Sequence, residues 1–236
     1  MPLSDDDATS IGEAATAPRR GTVRLRWVLP EQADAAILDA WAAMLDPAEQ
    51  ARAARFRAEA DRRAYVAAHA LVRLMLSAAA PLPPAAWHFV TGHAGKPEVD
   101  SSLGVPWLRF NLSHTRSMVA CAVTAWADVG LDVEDLGRPE ASPGLAERYF
   151  APQEASMIAA LPREARHEAF LKVWTLKEAF VKATGDGIGL GLDAFAFTLD
   201  PPALRFAPGS TGDPAAWRFL QWKPTPRHVL AVALRH

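Results

Sequence analysis

The chain has 236 residues, 50% of them hydrophobic, and its 25 Lys and Arg nearly balance 27 Asp and Glu, for a net charge of -2. That balance argues against a protein whose main task is coating nucleic acid, and no apolar stretch approaches the ~20 residues needed to cross a bilayer. Asp5, Asp6 and Asp7 stand where a secretory signal would carry positive charge, and the single Cys121 sits in an apolar run as a small buried hydrophobe, so a cytoplasmic protein is expected.

Residues 1–21 are small, polar and charged, which predicts a disordered tail. Val23, Leu25, Trp27 and Leu29 then alternate with more polar residues, the period of a half-buried strand. A helix follows over Ala33–Leu45, and Asp46-Pro47 caps and begins another. Asp61 is read as the N-cap of a long helix through Leu71, Leu74 and Met75, which Pro81, Pro83 and Pro84 stop. Strands are predicted at Trp87–Thr91, Trp107–Leu112, Ser117–Thr124 and Val129–Glu134, with the loop from Gly92 to Pro97 after the first of them. Beyond Pro152 the pattern is helical again, with the longest stretch over Arg163–Thr184, and strands return at Ala194–Leu199, Trp217–Trp222 and His228–Leu234. A long helix followed by strands in each half hints at an internal duplication, although no fixed-period repeat is present.

Four short segments carry residues suited to phosphate and metal chemistry. In Val129-Gly130-Leu131-Asp132-Val133-Glu134, a strand turns the valines and Leu131 one way and both carboxylates the other, roughly 7 Å apart. Two like charges so placed favour a cation between them, and oxygen-only ligands suit magnesium. On the helix ending in Lys182, Trp174, Glu178 and Lys182 are four residues apart and share a face, so an acid lies between a ring and a cation. Phe110-Asn111-Leu112-Ser113-His114 is a strand ending in polar groups that can receive phosphate oxygens, and Gly95-Lys96-Pro97 joins a permissive glycine to a point charge. Taken singly, each also reads as an acidic surface strand, a surface Glu–Lys pair or an ordinary loop.

In this order and at these spacings, the four segments resemble the motifs of the phosphopantetheinyl transferases of the larger, surfactin-synthetase-activating type, over roughly Pro47 to Phe197. The resemblance implies an α+β pseudo-dimer: a half at residues 22–106 and a second, metal-binding half at 107–236, with coenzyme A in the cleft between them and a seam near Pro106. It implies that Asp132, Glu134 and Glu178 hold Mg2+, that Glu178 deprotonates the acceptor serine directly or through water, and that Lys182 steadies the pyrophosphate. Arg52, Gly95, Lys96, Pro97, Asn111, Ser113 and His114 match positions that bind coenzyme A. Some relatives carry a second basic residue where this chain has Glu49, and Arg62, Arg63 or His69 are the alternatives for that contact.

The implied activity is transfer of 4'-phosphopantetheine from coenzyme A to a serine of an apo acyl or peptidyl carrier protein by a monomer, with no nucleic acid or membrane partner. A magnesium-dependent phosphohydrolase using the same carboxylates is the alternative enzyme. An inactive α+β binding module would lack a metal ligand, and none is missing from the sequence.

Overall fold

The computed structural model describes residues 16–92, 95–139, 144–185, 191–206 and 213–235, and its mixture of helix and strand is an α+β fold. The first half runs β1 (Arg24–Val28), α1 (Ala35–Ala42), α2 (Pro47–Ala53), α3 (Glu59–Ser77), the hairpin β2 (Phe89–Thr91) and β3 (Pro97–Val99), β4 (Leu108–His114) and β5 (Val119–Ala125). The second runs β6 (Val129–Asp135), α4 (Leu145–Tyr149), α5 (Pro152–Ala160), α6 (Arg163–Thr184), the hairpin β7 (Phe195–Leu199) and β8 (Pro202–Phe206), β9 (Trp217–Thr225) and β10 (His228–Arg235).

The two series match element for element. Each has a first strand, short helices, one long helix, a hairpin and two final strands. The sheets match too: β1-β5-β4 in one half and β6-β10-β9 in the other, both antiparallel with the last strand in the middle. The duplication hinted at in the sequence is therefore visible in the topology. β4 pairs with β5 and β5 with β1, so by sheet pairing Leu108–Ala125 group with the first sheet, beyond the expected seam near Pro106. Pro106 precedes a strand of the first sheet, and loop composition alone could not reveal which sheet that strand would join.

Alternation along β5 builds the layers. Val119, Cys121 and Val123 face α3 together with Leu71, Met75 and Phe110, while Met118, Ala120 and Ala122 face Val129, Leu131 and Val133 of β6 and Leu230 and Val232 of β10. The sheets thus share one apolar interior, with α3 outside the first and α6 outside the second. Cys121 is buried with its thiol pKa pushed up by that burial, in keeping with the reading of a small hydrophobe.

Two sequence expectations are corrected. The chain is anchored before Gly21, because the Thr16 N–H donates to Ala78 O (3.1 Å), Arg24 binds Thr16 Oγ1 (2.7 Å) and Pro18 is buried; the rest of the expected tail lies outside the described residues. Asp61 does not cap α3, which begins after Ala58 without a side-chain cap, and its carboxylate instead pairs with Arg116 (2.8 Å).

Gly130 sets the distance between β6 and α6. A Cβ at this position would lie 1.9 Å from Ala179 O and 2.5 Å from Ala183 N, both backbone atoms of α6. Glycine in a strand often marks such a close backbone approach. Gly130→Ala should therefore force the helix off the strand, costing at least about 2–3 kcal/mol, the upper range for overpacking. Urea unfolding measures this, and a loss below a few tenths of a kcal/mol would show that the helix gives way freely.

Candidate active site

Gly130, Asp132 and Glu134 occupy alternate positions of β6 on the side that meets α6, while Val129, Leu131 and Val133 face the apolar interior. Asp132 is accordingly buried (6% exposed) rather than lying on an open polar face. Helical spacing on α6 turns Glu178 and Lys182 toward the same strand, and α6 ends where Gly185 takes a left-handed conformation (φ 76°) with its N–H on Val181 O.

Lys182 Nζ reaches three acceptors: Asp132 Oδ1 (2.7 Å), Ser113 Oγ (3.2 Å) and Leu131 O (3.3 Å). Ser113 Oγ donates to Asp132 Oδ1 (2.9 Å) and accepts the Val133 N–H (3.3 Å). The other oxygen of Asp132, Oδ2, is buried without a hydrogen-bond partner among the described residues. Glu134 is held by Arg138 (2.7 Å), a contact the sequence reading missed.

The three carboxylates feel one another. Burial raises the pKa of Glu178, the Asp132 charge raises it further, Lys182 opposes the rise, and Glu134 adds to it. Burial likewise raises Glu134, opposed by the Arg138 hydrogen bond and reinforced by Asp132. Among the described residues no three His, Cys, Asp or Glu side chains are placed so that they could hold a metal ion as they stand. The donor set nonetheless fits a hard divalent cation: three coupled carboxylates, one orphaned buried oxygen and no sulfur or imidazole.

Lys177 holds α6 from behind. Its buried ammonium binds Glu154 Oε2 (2.7 Å), Leu192 O (2.7 Å) and Phe195 O (2.6 Å), while Glu154 also accepts the N–H groups of Ala151 (3.0 Å) and Phe197 (2.7 Å). Fully paired in this way, the ions tolerate burial and fix the helix register beside Glu178.

Other predicted contacts divide. His114 ends β4 with its ring exposed, and partial burial together with the charges of Lys182 and His69 lowers its pKa. Arg52 lies over the Tyr65 ring (5.6 Å), and Tyr65 stacks on His69 (4.2 Å). Gly95 (φ 81°) and Pro97 are exposed in the β2–β3 hairpin. Lys96 and Asn111 are placed differently from the expectation. The Lys96 ammonium is engaged by Lys182 O (2.7 Å) and Val129 O (3.1 Å), and buried Asn111 gives its Oδ1 to the Leu131 N–H (2.7 Å). Both serve backbone groups that no sequence pattern could identify.

Glu49, the departure from the family pattern, also has a partner. Its Oε2 accepts from the fully buried Arg73 (2.6 Å) and the Asp46 N–H (3.0 Å), closing a capping box, while Oε1 meets His69 Nδ1 (2.7 Å). Of the three alternatives for that contact, Arg62 pairs with Glu59 (2.7 Å), Arg63 donates to the carbonyls of Pro30 (3.2 Å) and Ala33, and His69 meets Glu49.

The chain matches the family profile described as 4'-phosphopantetheinyl transferase, N-terminal, over residues 30–125, and the 4'-phosphopantetheinyl transferase superfamily over residues 128–233. The two matches meet where the two sheets divide. The chain is 34% identical over 211 residues to the 4'-phosphopantetheinyl transferase HetI of Nostoc sp., covering 88% of this chain and 86% of that protein. It is 35% identical over 151 residues to the 4'-phosphopantetheinyl transferase psf-1 of Bacillus pumilus (64% of this chain, 62% of that one). To the 4'-phosphopantetheinyl transferase Sfp of Bacillus subtilis it is 30% identical over 155 residues, 66% of each chain.

Burial raises the Glu49 pKa, but hydrogen bonds from His69 and Arg73 outweigh it and hold the group at about 2, against an ordinary value of 4.5. The native state therefore binds fewer protons than the unfolded chain between those values. The stability this adds is complete above pH 4.5 and lost as pH falls toward 2, about 2–3 kcal/mol in all. Glu49→Gln should cost that much at pH 7, and its deficit against wild type should shrink by pH 2.5. Urea unfolding at both pH values checks this, and an equal deficit at both would show that the carboxylate charge is not the source.

Proposed function

The chain belongs to the 4'-phosphopantetheinyl transferase superfamily and is an enzyme of that class, and we propose from this premise that the site between β6, α6 and the end of β4 carries out the transfer. The donor is coenzyme A and the acceptor is a serine of an apo acyl or peptidyl carrier protein. The observation that carries the reading is the meeting of Asp132, Ser113 and Lys182 within hydrogen-bond distance, with Asp132 Oδ2 left unpartnered beside the charges of Glu134 and Glu178.

In the reaction, the serine oxygen forms a bond to the β-phosphorus of coenzyme A as the bond to the bridging pyrophosphate oxygen breaks, and adenosine 3',5'-bisphosphate leaves. Asp132, Glu134 and Glu178 would hold Mg2+, which when bound neutralises charge on the pyrophosphate oxygens. Glu178 takes the serine proton, directly or through water. Burial and the Asp132 charge raise its pKa, which makes it a stronger base than a free glutamate, and it has no hydrogen-bond or ion-pair partner among the described residues. Lys182 supplies a fixed cation where negative charge builds on the leaving group, a contribution exerted mainly in the transition state.

Arg52 as a cation, with His69 and His114 as neighbouring ring-nitrogen partners, would meet the 3'-phosphate. Glu49 holds His69 by Nδ1, so Nε2 is the ring nitrogen not used in that contact. The Arg52 guanidinium lies over the Tyr65 ring, which orients it while leaving its N–H donors for an anion. No helix among the described residues is long and apolar enough to cross a membrane. We place the enzyme in the cytoplasm as a monomer, in keeping with its charge and single cysteine.

Incubation with coenzyme A, Mg2+ and a panel of apo carrier proteins, followed by intact mass measurement, should show one carrier gaining a single phosphopantetheine. Release of phosphopantetheine without any carrier would instead support a hydrolase. Glu178→Gln should lower kcat by about 10²-fold or more, the usual range for a lost general base. Lys182→Met should lower kcat by more than it weakens coenzyme A binding. Near-normal turnover in either variant removes that residue from the reaction. Mg2+ should raise the melting temperature of the wild type but not of Asp132→Asn, and equal shifts would place the metal elsewhere.

A further inference from the structure

Strand β6 is hydrogen-bonded to β10 on one side and, among the described residues, has no strand paired on the other. In an antiparallel pair, alternate residues turn their N–H and C=O away from the partner strand. Here these residues are Val129, Leu131 and Val133, all buried to 2% exposure or less. A buried edge of this kind is unfavourable unless each group finds a partner.

Side chains supply every partner from the Val129 carbonyl to the Val133 amide. Val129 O accepts from Lys96 Nζ (3.1 Å), the Leu131 N–H donates to Asn111 Oδ1 (2.7 Å), Leu131 O accepts from Lys182 Nζ (3.3 Å), and the Val133 N–H donates to Ser113 Oγ (3.3 Å). The four side chains come from the β2–β3 hairpin, β4 and α6. Asn111 and Ser113 meet Leu131 and Val133 at the same offset along both chains, as strands of a parallel pair would. Lys96 also binds Lys182 O (2.7 Å), a last-turn carbonyl with no partner inside the helix.

We propose that Asn111 and Lys96 are positioning residues that replace a missing strand along the outer edge of β6, and that they fix Asp132 and Glu134 beneath α6 rather than contacting coenzyme A. Ser113 and Lys182 share this duty with their part in the carboxylate cluster. Asn111 and Lys96 are confined to it. The expected effect on turnover rests on the reading of Asp132 and Glu134 given above, whereas the edge pairing stands independently of it.

Amide hydrogen exchange in the full-length protein without substrates tests the pairing directly. Asn111→Leu has a similar shape but no acceptor, and should speed exchange of the Leu131 N–H by up to about tenfold, the effect of one lost hydrogen bond. Amides of β9 and β10 should keep their protection. Asn111→Asp retains an acceptor and should restore the protection of Leu131, which also decides the matter if the leucine variant does not fold. In the transfer assay, Asn111→Leu and Lys96→Met should lower kcat while leaving the affinity for coenzyme A, measured by calorimetry, within about twofold. Unchanged exchange at Leu131, or a tenfold or greater loss of coenzyme A affinity at normal kcat, overturns the proposal. Absence of transfer by the wild type would defeat the functional reading alone, since the exchange result still decides the edge pairing.

Discussion

The outer edge of β6 is the constraint on which the rest of the site depends. A strand buried on both faces cannot leave its edge amides and carbonyls unpaired, because water cannot reach them. Here the edge is closed by side chains from Lys96, Asn111, Ser113 and Lys182. Three of these come from the first half of the chain and one from the second helix layer, so separating the halves would expose several unsatisfied groups at once. The same contacts that join the halves therefore hold Asp132 and Glu134 in place.

Close packing completes the arrangement. Gly130 lets α6 approach until backbone meets backbone, which brings Glu178 and Lys182 onto the carboxylate face of β6. Three acids gathered in a half-buried space repel one another, and the rise in the pKa values of Glu134 and Glu178 expresses that cost. Lys182 offsets part of it through Asp132 Oδ1, while Oδ2 has no hydrogen-bond partner among the described residues. Buried charge behind α6 is tolerated because it is paired, as in Lys177 with Glu154.

Much of this was legible in the sequence, for identifiable reasons. Alternation fixes which side of a strand a residue faces, so the split between Val129, Leu131 and Val133 and the two acids of β6 followed directly. Helical spacing fixes a face, so Glu178 and Lys182 were rightly joined. Gly130 carried a readable signal, a glycine inside a strand, that the sequence reading passed over. Long-range partners were not readable. Asn111 is a generic polar residue until Leu131, twenty positions away, is known to face it, and Lys96 is a generic cation until its two carbonyls are known. Glu49 read only as a departure from a basic position of the family, yet it pairs with Arg73 and meets His69. That β4 and β5 join β1 was not readable either, because strand order in a sheet depends on pairing that local pattern does not encode.

The most direct measurement is the anomalous diffraction of a crystal grown with Mn2+ in place of Mg2+ and with coenzyme A bound. A single strong peak is expected beside the pyrophosphate, with oxygens of Asp132, Glu134 and Glu178 about 2.0–2.2 Å from it, as for a small hard cation. The Leu131 N–H should remain on Asn111. A peak away from these carboxylates, or bound coenzyme A with Asp132 Oδ2 still unpartnered and no metal beside it, would contradict the convergence of the three acids on one cation.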